Sequence, residues 1–197
     1  MPTILLIRHG ENDVMLTRLA GRMPDVHLNK TGRAQAAHIA AFLADRSIHA
    51  IFSSPLERAL ETAQPLAALK QLEVQVSEGL NEIDFGKWQG KRYTAFQRPK
   101  TWKLVQERPS QVTFQDGESY IEAQKRVVAA IEDISSRYGK EDVIACFTHA
   151  DVIRLAVNHY LGMELDNLQR LQLDVATITE LNLLDGKATL KVLGQQV

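Results

Sequence analysis

Apolar runs of strand length alternate with longer helical patterns through most of the chain. Parallel β-α-β construction produces this pattern, because strands buried on both faces read as nearly continuous hydrophobic stretches. Thr3 to Ile7 is the first such run. A polar, loop-like stretch from Glu11 to Asn29 contains Gly21 and Pro24; Thr31 is then placed to cap a helix reaching about Asp45, with Ile39, Phe42 and Leu43 on its apolar face. Ala50 to Ser53 is a second strand, and Ser53-Ser54-Pro55 supplies a hydroxyl cap and a first-turn proline for a helix to about Leu72. Glu73 to Ser77 alternates as a third strand. Residues 79 to 116 then break the pattern with glycines, prolines, two tryptophans and scattered charges, which predicts an excursion from the sheet. Regularity returns with a helix from Gly117-Glu118-Ser119 to about Tyr138, a strand from Asp142 to Thr148, and a helix from Asp151 to Leu161 closed by Gly162. Thr177 to Leu184 and Ala188 to Leu193 flank Asp185-Gly186, a hairpin signal. The elements predict an α/β fold of three layers, α/β/α, whose central sheet is mostly parallel with an antiparallel C-terminal part. No repeat, linker or low-complexity tract divides the chain, so residues 1 to 197 read as one domain.

Composition narrows the partners. The 197 residues carry 23 Lys+Arg against 24 Asp+Glu, a formal net charge of −1, with 45% hydrophobic and 24% charged residues. That is the range of folded globular domains, and a balanced charge gives no global field to hold a nucleic-acid backbone or an anionic membrane. One cysteine, Cys146, rules out an intrachain disulfide and any paired-cysteine metal site. The first residues lack a basic leader and read as a strand, and no apolar segment approaches the ~20 residues of a membrane span. The expected location is the cytoplasm; oligomeric state is not legible.

Candidate chemistry lies where ligands bind in open α/β sheets, just beyond the carboxyl ends of the strands. The first strand ends in Arg8-His9-Gly10-Glu11, and the strand from Asp142 ends in Thr148-His149 immediately before a helix. Arg58 lies one turn into the helix after the second strand, and Asn81-Glu82-Ile83-Asp84 follows the third. Two guanidiniums suit a dianionic phosphate, since their planar forks donate paired hydrogen bonds and stay charged. A neutral imidazole beside such charges is a competent nucleophile toward phosphorus, and His9 fits that part. His149 and the helix N-terminus opened by Ala150 can donate to phosphoryl oxygens, and Glu82, with Asp84 as the alternative, can protonate the departing alkoxide.

The motifs Arg8-His9-Gly10-Glu11, Ser53-Ser54-Pro55-Leu56-Glu57-Arg58-Ala59 with Thr62-Ala63, Leu80-Asn81-Glu82 with Phe85-Gly86-Lys87-Trp88-Gln89-Gly90, Asp116-Gly117-Glu118-Ser119 and Thr148-His149 together resemble the histidine phosphatase superfamily, the phosphoglycerate-mutase-like proteins. The resemblance implies a phosphomonoester hydrolase acting on a small phosphorylated metabolite without a cofactor or metal. In it His9 would be the phosphorylated nucleophile, Arg8, Arg58 and His149 the phosphate pocket, and Glu82 the proton donor. It also places the excursion of residues 79 to 116 near the active site. Two departures stand out. The family often carries an asparagine six residues after the nucleophile, where this chain has Met15, and the usual Ser-His-Gly-Gly is here Thr148-His149-Ala150-Asp151. The missing contact is either absent or supplied by another residue; Asp151 puts a carboxylate near the pocket, where it either orients a residue or caps the helix, and the cap is the preferred reading.

Other residues have plainer readings. Glu11 either reaches the pocket or favours the following turn and is left out of the catalytic set, and Arg18 and Arg22 either reach a substrate's distal end or are solvated, with solvation preferred. His27, His38, His49 and His159 have no partner pattern, and Cys146 reads as a small core residue. Trp88, Phe96 and Trp102 either line a pocket or pack the excursion down. Rival functions are a cofactor-dependent phosphomutase using the same pocket and a non-catalytic phospho-ligand binding module. A metal-dependent hydrolase lacks His-x-x-x-His or His-Glu-x-x-His spacing. A nucleotide-binding Gly-x-x-x-x-Gly-Lys loop is missing, and a cysteine phosphatase would need arginine where Val152 stands, six residues past Cys146.

Overall fold

A computed structural model describes residues 2–96, 100–184 and 187–197. Its strands are β1 (Thr3–Arg8), β2 (Ala50–Ser53), β3 (Val74–Val76), β4 (Val143–Thr148), β5 (Ile178–Leu184) and β6 (Lys187–Gln195). The helices are α1 (Lys30–Phe42), α2 (Glu57–Lys70), α3 (Lys100–Glu107), α4 (Tyr120–Ser136) and α5 (Ala150–Tyr160). The six strands form one sheet in the order β3-β2-β4-β1-β5-β6. The four strands from β3 to β1 are parallel, and β5 and β6 are added antiparallel. The mixed sheet expected from the sequence is therefore present; the Asp185-Gly186 turn itself lies outside the described residues.

Successive residues of β1 serve opposite faces, as the two-residue period of a strand requires. Ile4 and Leu6 join Ile144, Cys146, Val127, Ile131, Val152 and Ala156 under α4 and α5. Leu5 and Ile7 join Ala145, Phe147, Ile39, Leu43, Ala63 and Leu66 under α1 and α2. Helices thus cover both faces, giving the three layers. A third apolar cluster, including Ile83, Phe85, Val105, Val112, Phe114 and Leu155, anchors residues 83–114 to α4 and α5 beyond the end of the sheet.

Register sets up the site. Arg8 pairs with Thr148 across β1 and β4, and Ser53 pairs with Phe147 across β2 and β4. His9, His149 and Ser54 consequently leave three adjacent strands side by side.

Several local expectations are corrected. Asn29, not Thr31, caps α1: its side chain accepts from the Gly32 N–H at 2.9 Å, so the helix starts two residues earlier and ends at Phe42. Phe42 is 51% exposed, because it sits at the end of α1 beyond the covered face. Neither serine of Ser53-Ser54-Pro55 is the N-cap of α2, which begins at Glu57 after an extended Leu56. Ser119 does cap α4, in a full capping box with Glu122.

Candidate active site

The nucleophile candidate is held from three sides. His9 donates its backbone N–H to the Thr148 carbonyl at 3.0 Å, its carbonyl accepts from Ala176 at 3.1 Å, and the Gly10 N–H donates to Thr62 Oγ1 of α2 at 3.0 Å. α1 abuts this loop: a Cβ on Gly32 would lie 2.1 Å from the Glu11 carbonyl oxygen, so only glycine permits the approach. His9 Nδ1 lies 2.7 Å from the Gly10 carbonyl oxygen, which can only accept. The proton therefore sits on Nδ1 and Nε2 carries the lone pair. Burial, then the charges of Arg58 and Arg8, hold the ring's pKa well below the usual histidine range, so the imidazole is neutral.

His149 stands beside it, ring centroids 5.2 Å apart at 60°. Its Nδ1 is 3.2 Å from Arg58 Nη2 and 4.0 Å from Glu82 Oε2, and its Nε2 is 2.8 Å from Ser54 Oγ. Facing a guanidinium that can only donate, Nδ1 is the acceptor, and Nε2–H donates to Ser54. Burial and Arg58 depress its pKa strongly as well. As placed, both ring nitrogens are engaged within the protein.

Arg58 is 1% exposed. Its Nη2 donates to the Gly21 carbonyl at 2.7 Å, and burial lowers its pKa to about 10, which leaves it charged near neutrality. Arg8 donates from Nη1 to the Leu173 carbonyl at 2.6 Å and is likewise lowered by burial. Each keeps a buried donor without a protein partner among the described residues, Arg58 Nη1 and Arg8 Nε. Asn12 supplies a third. Fully buried, it uses its Oδ1 to accept from the Met15 N–H at 3.0 Å and leaves Nδ2 unpartnered. All three residues line one cavity of about 230 Å³, together with His9, Glu82, Ala150 and Asp151. Asn12 was missed in the sequence because a polar residue in a polar loop carries no periodicity; its closeness to His9 was the only signal.

Glu82 sits at the rim of this cavity, and burial, then the charge of Asp151, push its pKa up to about 7. The loop carrying it is clamped through its backbone. Arg22 Nε donates to the Glu82 carbonyl at 2.7 Å, Arg126 Nη1 to the Gly79 and Asn81 carbonyls at 2.9 Å each, and both arginines pair with Glu118. This gives the Gly117-Glu118-Ser119 motif its physical purpose and corrects the reading of Arg22 as solvated. Asp84 accepts from the Gly86 N–H and lies 3.9 Å from Arg22, so it too belongs to the clamp. Asp151 does not cap α5. His149 occupies the cap position, while the Asp151 carboxylate accepts from Arg154 at 2.9 Å within the first turn. Ala150 is the first residue of that helix, where backbone N–H groups have no intrahelical partner.

Of the three aromatic residues left undecided, Trp88 and Trp102 line the cavity, and Phe96, 4% exposed, stacks on both. Glu11 accepts from Asn29 at 2.8 Å, His27 pairs with Glu61, and Cys146 is buried in the core with its thiol pushed up to about 12. No three His, Cys, Asp or Glu side chains group around a possible metal among the described residues, and no helix there is long and apolar enough to cross a membrane.

The family model of the histidine phosphatase superfamily, branch 1, matches residues 4–196. The chain belongs to that superfamily. A 2,3-bisphosphoglycerate-dependent phosphoglycerate mutase of Thermoplasma acidophilum is 30% identical over 95% of this chain and 90% of its own. Among solved structures, Bacillus stearothermophilus YhfR superposes with a TM-score of 0.91 at 26% identity, covering 99% of this chain and 98% of that one. A phosphoserine phosphatase of Entamoeba histolytica, solved in complex with 3-phosphoglyceric acid, gives 0.88 at 27% identity, covering 99% and 98%. Superfamily membership with such neighbours makes this chain a histidine-type phosphatase.

Proposed function

We propose that the protein hydrolyses a small phosphomonoester through a phosphohistidine on His9. The observation that supports this best is the gathering of Arg8, Asn12 and Arg58, each with a buried donor that has no partner among the described residues, in the lining of a cavity that also holds a neutral imidazole. Buried donors without partners are costly, and two guanidiniums and an amide lining one cavity suit a dianionic ligand. His9 Nε2 attacks phosphorus and the bond from phosphorus to the ester oxygen breaks. The departing alkoxide takes the proton of Glu82, whose pKa, raised to about 7, leaves a large fraction of it protonated near neutrality. Water then attacks the phosphohistidine, giving its proton to the Glu82 carboxylate; the Nε2–phosphorus bond breaks and inorganic phosphate leaves.

The phosphate pocket consists of Arg8, Arg58, Asn12, the Ala150 backbone and His149. Ser54 Oγ accepts from His149 Nε2–H and also from the Leu56 N–H at 3.3 Å, so its own proton is free to donate. It can therefore serve either tautomer of the ring. When a seated dianion draws the Arg58 guanidinium away from Nδ1, His149 can carry its proton there and donate to the phosphoryl group, while Ser54 donates to Nε2. The site is read as part of one domain spanning residues 1–197.

The mutase relative makes return of the phosphoryl group to the substrate the competing outcome. Incubation with single monophosphates, phosphoserine and 3-phosphoglycerate among them, separates the two: the hydrolytic reading expects inorganic phosphate with no positional isomer. Isomer formation, or hydrolysis undiminished in His9→Ala, would overturn it.

A further inference from the structure

The floor of the cavity accounts for the phosphate; its mouth has a different character. Trp88 and Trp102 lie 6.3 Å apart with planes 28° from parallel, and both line the cavity that holds Arg8 and Arg58. Neighbouring rings hold both indoles in place. Phe96 stacks on Trp88 at 4.7 Å and on Trp102 at 5.4 Å, and Phe114 meets Trp88 edge-on at 5.4 Å. Leu19 and Val105 continue the apolar lining. The remaining polar side chains of the lining are two neutral amides, Gln106 and Gln169, two neutral phenols, Tyr93 and Tyr120, and the Arg154–Asp151 pair. The charge of Arg154 is balanced by Asp151, to which Nη1 donates at 2.9 Å, while Nε donates to the Leu171 carbonyl at 2.7 Å. Beyond the phosphate pocket, the described lining therefore offers a substrate carboxylate no uncompensated cation, and pressing that carboxylate against indoles would cost its hydration.

We infer that the ester's leaving group is an uncharged alcohol bearing a compact planar ring, which lies against the Trp88 and Trp102 indoles while the phosphate occupies the arginine pocket. The inference rests on the phosphatase reading and adds a substrate class to it. Rigid aromatic walls bind a planar group without losing rotamer freedom of their own, and stacking adds to simple area burial. The neutral glutamine amides can bond to a polar ring edge without requiring charge.

The test compares esters of primary alcohols, so that leaving-group chemistry does not set the order: 2-phenylethyl phosphate, ethyl phosphate, phosphoserine and 3-phosphoglycerate, assayed by phosphate release. The expected kcat/KM for the phenylethyl ester is about tenfold or more above that for each of the others. Trp102→Leu is expected to cut the phenylethyl value about fivefold more than the ethyl value. A preference for the carboxylate-bearing esters, or an equal loss on both esters in the variant, would overturn the inference and leave the phosphatase reading intact. Hydrolysis of none of the four would defeat both. The wild-type ranking decides the matter even if the variant does not fold.

Discussion

The floor and the roof of the cavity are built by different rules. On the floor, β1, β2, β4, α2 and α5 bring His9, His149, Arg58 and Ser54 together at 9% exposure or less, and parallel register fixes the relative positions of the strand ends. The roof, from the Glu82 loop through α3, contributes no strand to the sheet among its described residues. It is anchored by an apolar cluster on α4 and α5 and by the Glu118–Arg22–Arg126 clamp. A sheet end can fix a reacting group with backbone hydrogen bonds alone, whereas a loop must be tied by side chains. The floor suits the chemistry common to the superfamily, and the roof suits what distinguishes this chain.

The sharpest way to break that division is at the floor. His9→Ala should lower kcat/KM by about 10³-fold or more for every ester, with the fold retained, as judged by steady-state kinetics and circular dichroism. Glu82→Gln comes next. It should cost about 10²-fold on an alkyl ester and much less on p-nitrophenyl phosphate, whose leaving group needs no proton. Loss of equal size on both would place the proton donor elsewhere. Asn12→Ala, which removes one neutral donor to a charged ligand, should cost about tenfold or somewhat more, visible chiefly as weaker competition by inorganic phosphate.

The pH profile sharpens the comparison with smaller shifts. The active form has neutral His9 and protonated Glu82. Since the pKa of His9 lies well below 6.5, activity should persist into the acid range; since that of Glu82 is raised to about 7, kcat/KM should fall as pH rises through that value. Asp151 contributes to that rise, so Asp151→Asn should move the alkaline limb to lower pH. An unmoved limb would separate Asp151 from the proton donor.

How much of this was legible in the sequence follows the same division. The strands were readable because parallel strands are continuous apolar runs, and the residues immediately after them, Arg8, His9 and His149, inherited that legibility. Arg58 was readable because its helix follows β2 through almost no loop. Helix ends were less so: Asn29 took the cap expected of Thr31 because its side chain reached Gly32 where α1 closes on the nucleophile loop. The sequence hid Asn12 and Arg22, whose roles depend on contacts made by folded loops. Arg22 meets Glu118 across 96 positions of chain, and nothing periodic connects them. Asp151 misled for a related reason: a carboxylate in a helix's first turn resembles a cap, but here Arg154 one turn on claims it.

The most direct measurement is to mix the enzyme with a ³²P-labelled monoester, quench within the first turnovers under alkaline conditions that preserve phosphohistidine, and map the label by peptide mass spectrometry. Hydrolysis through His9 predicts one acid-labile, alkali-stable phosphoryl group on the peptide containing that residue, disappearing in His9→Ala. Label on a serine, threonine or another histidine, or turnover with no labelled protein at any quench time, would contradict it.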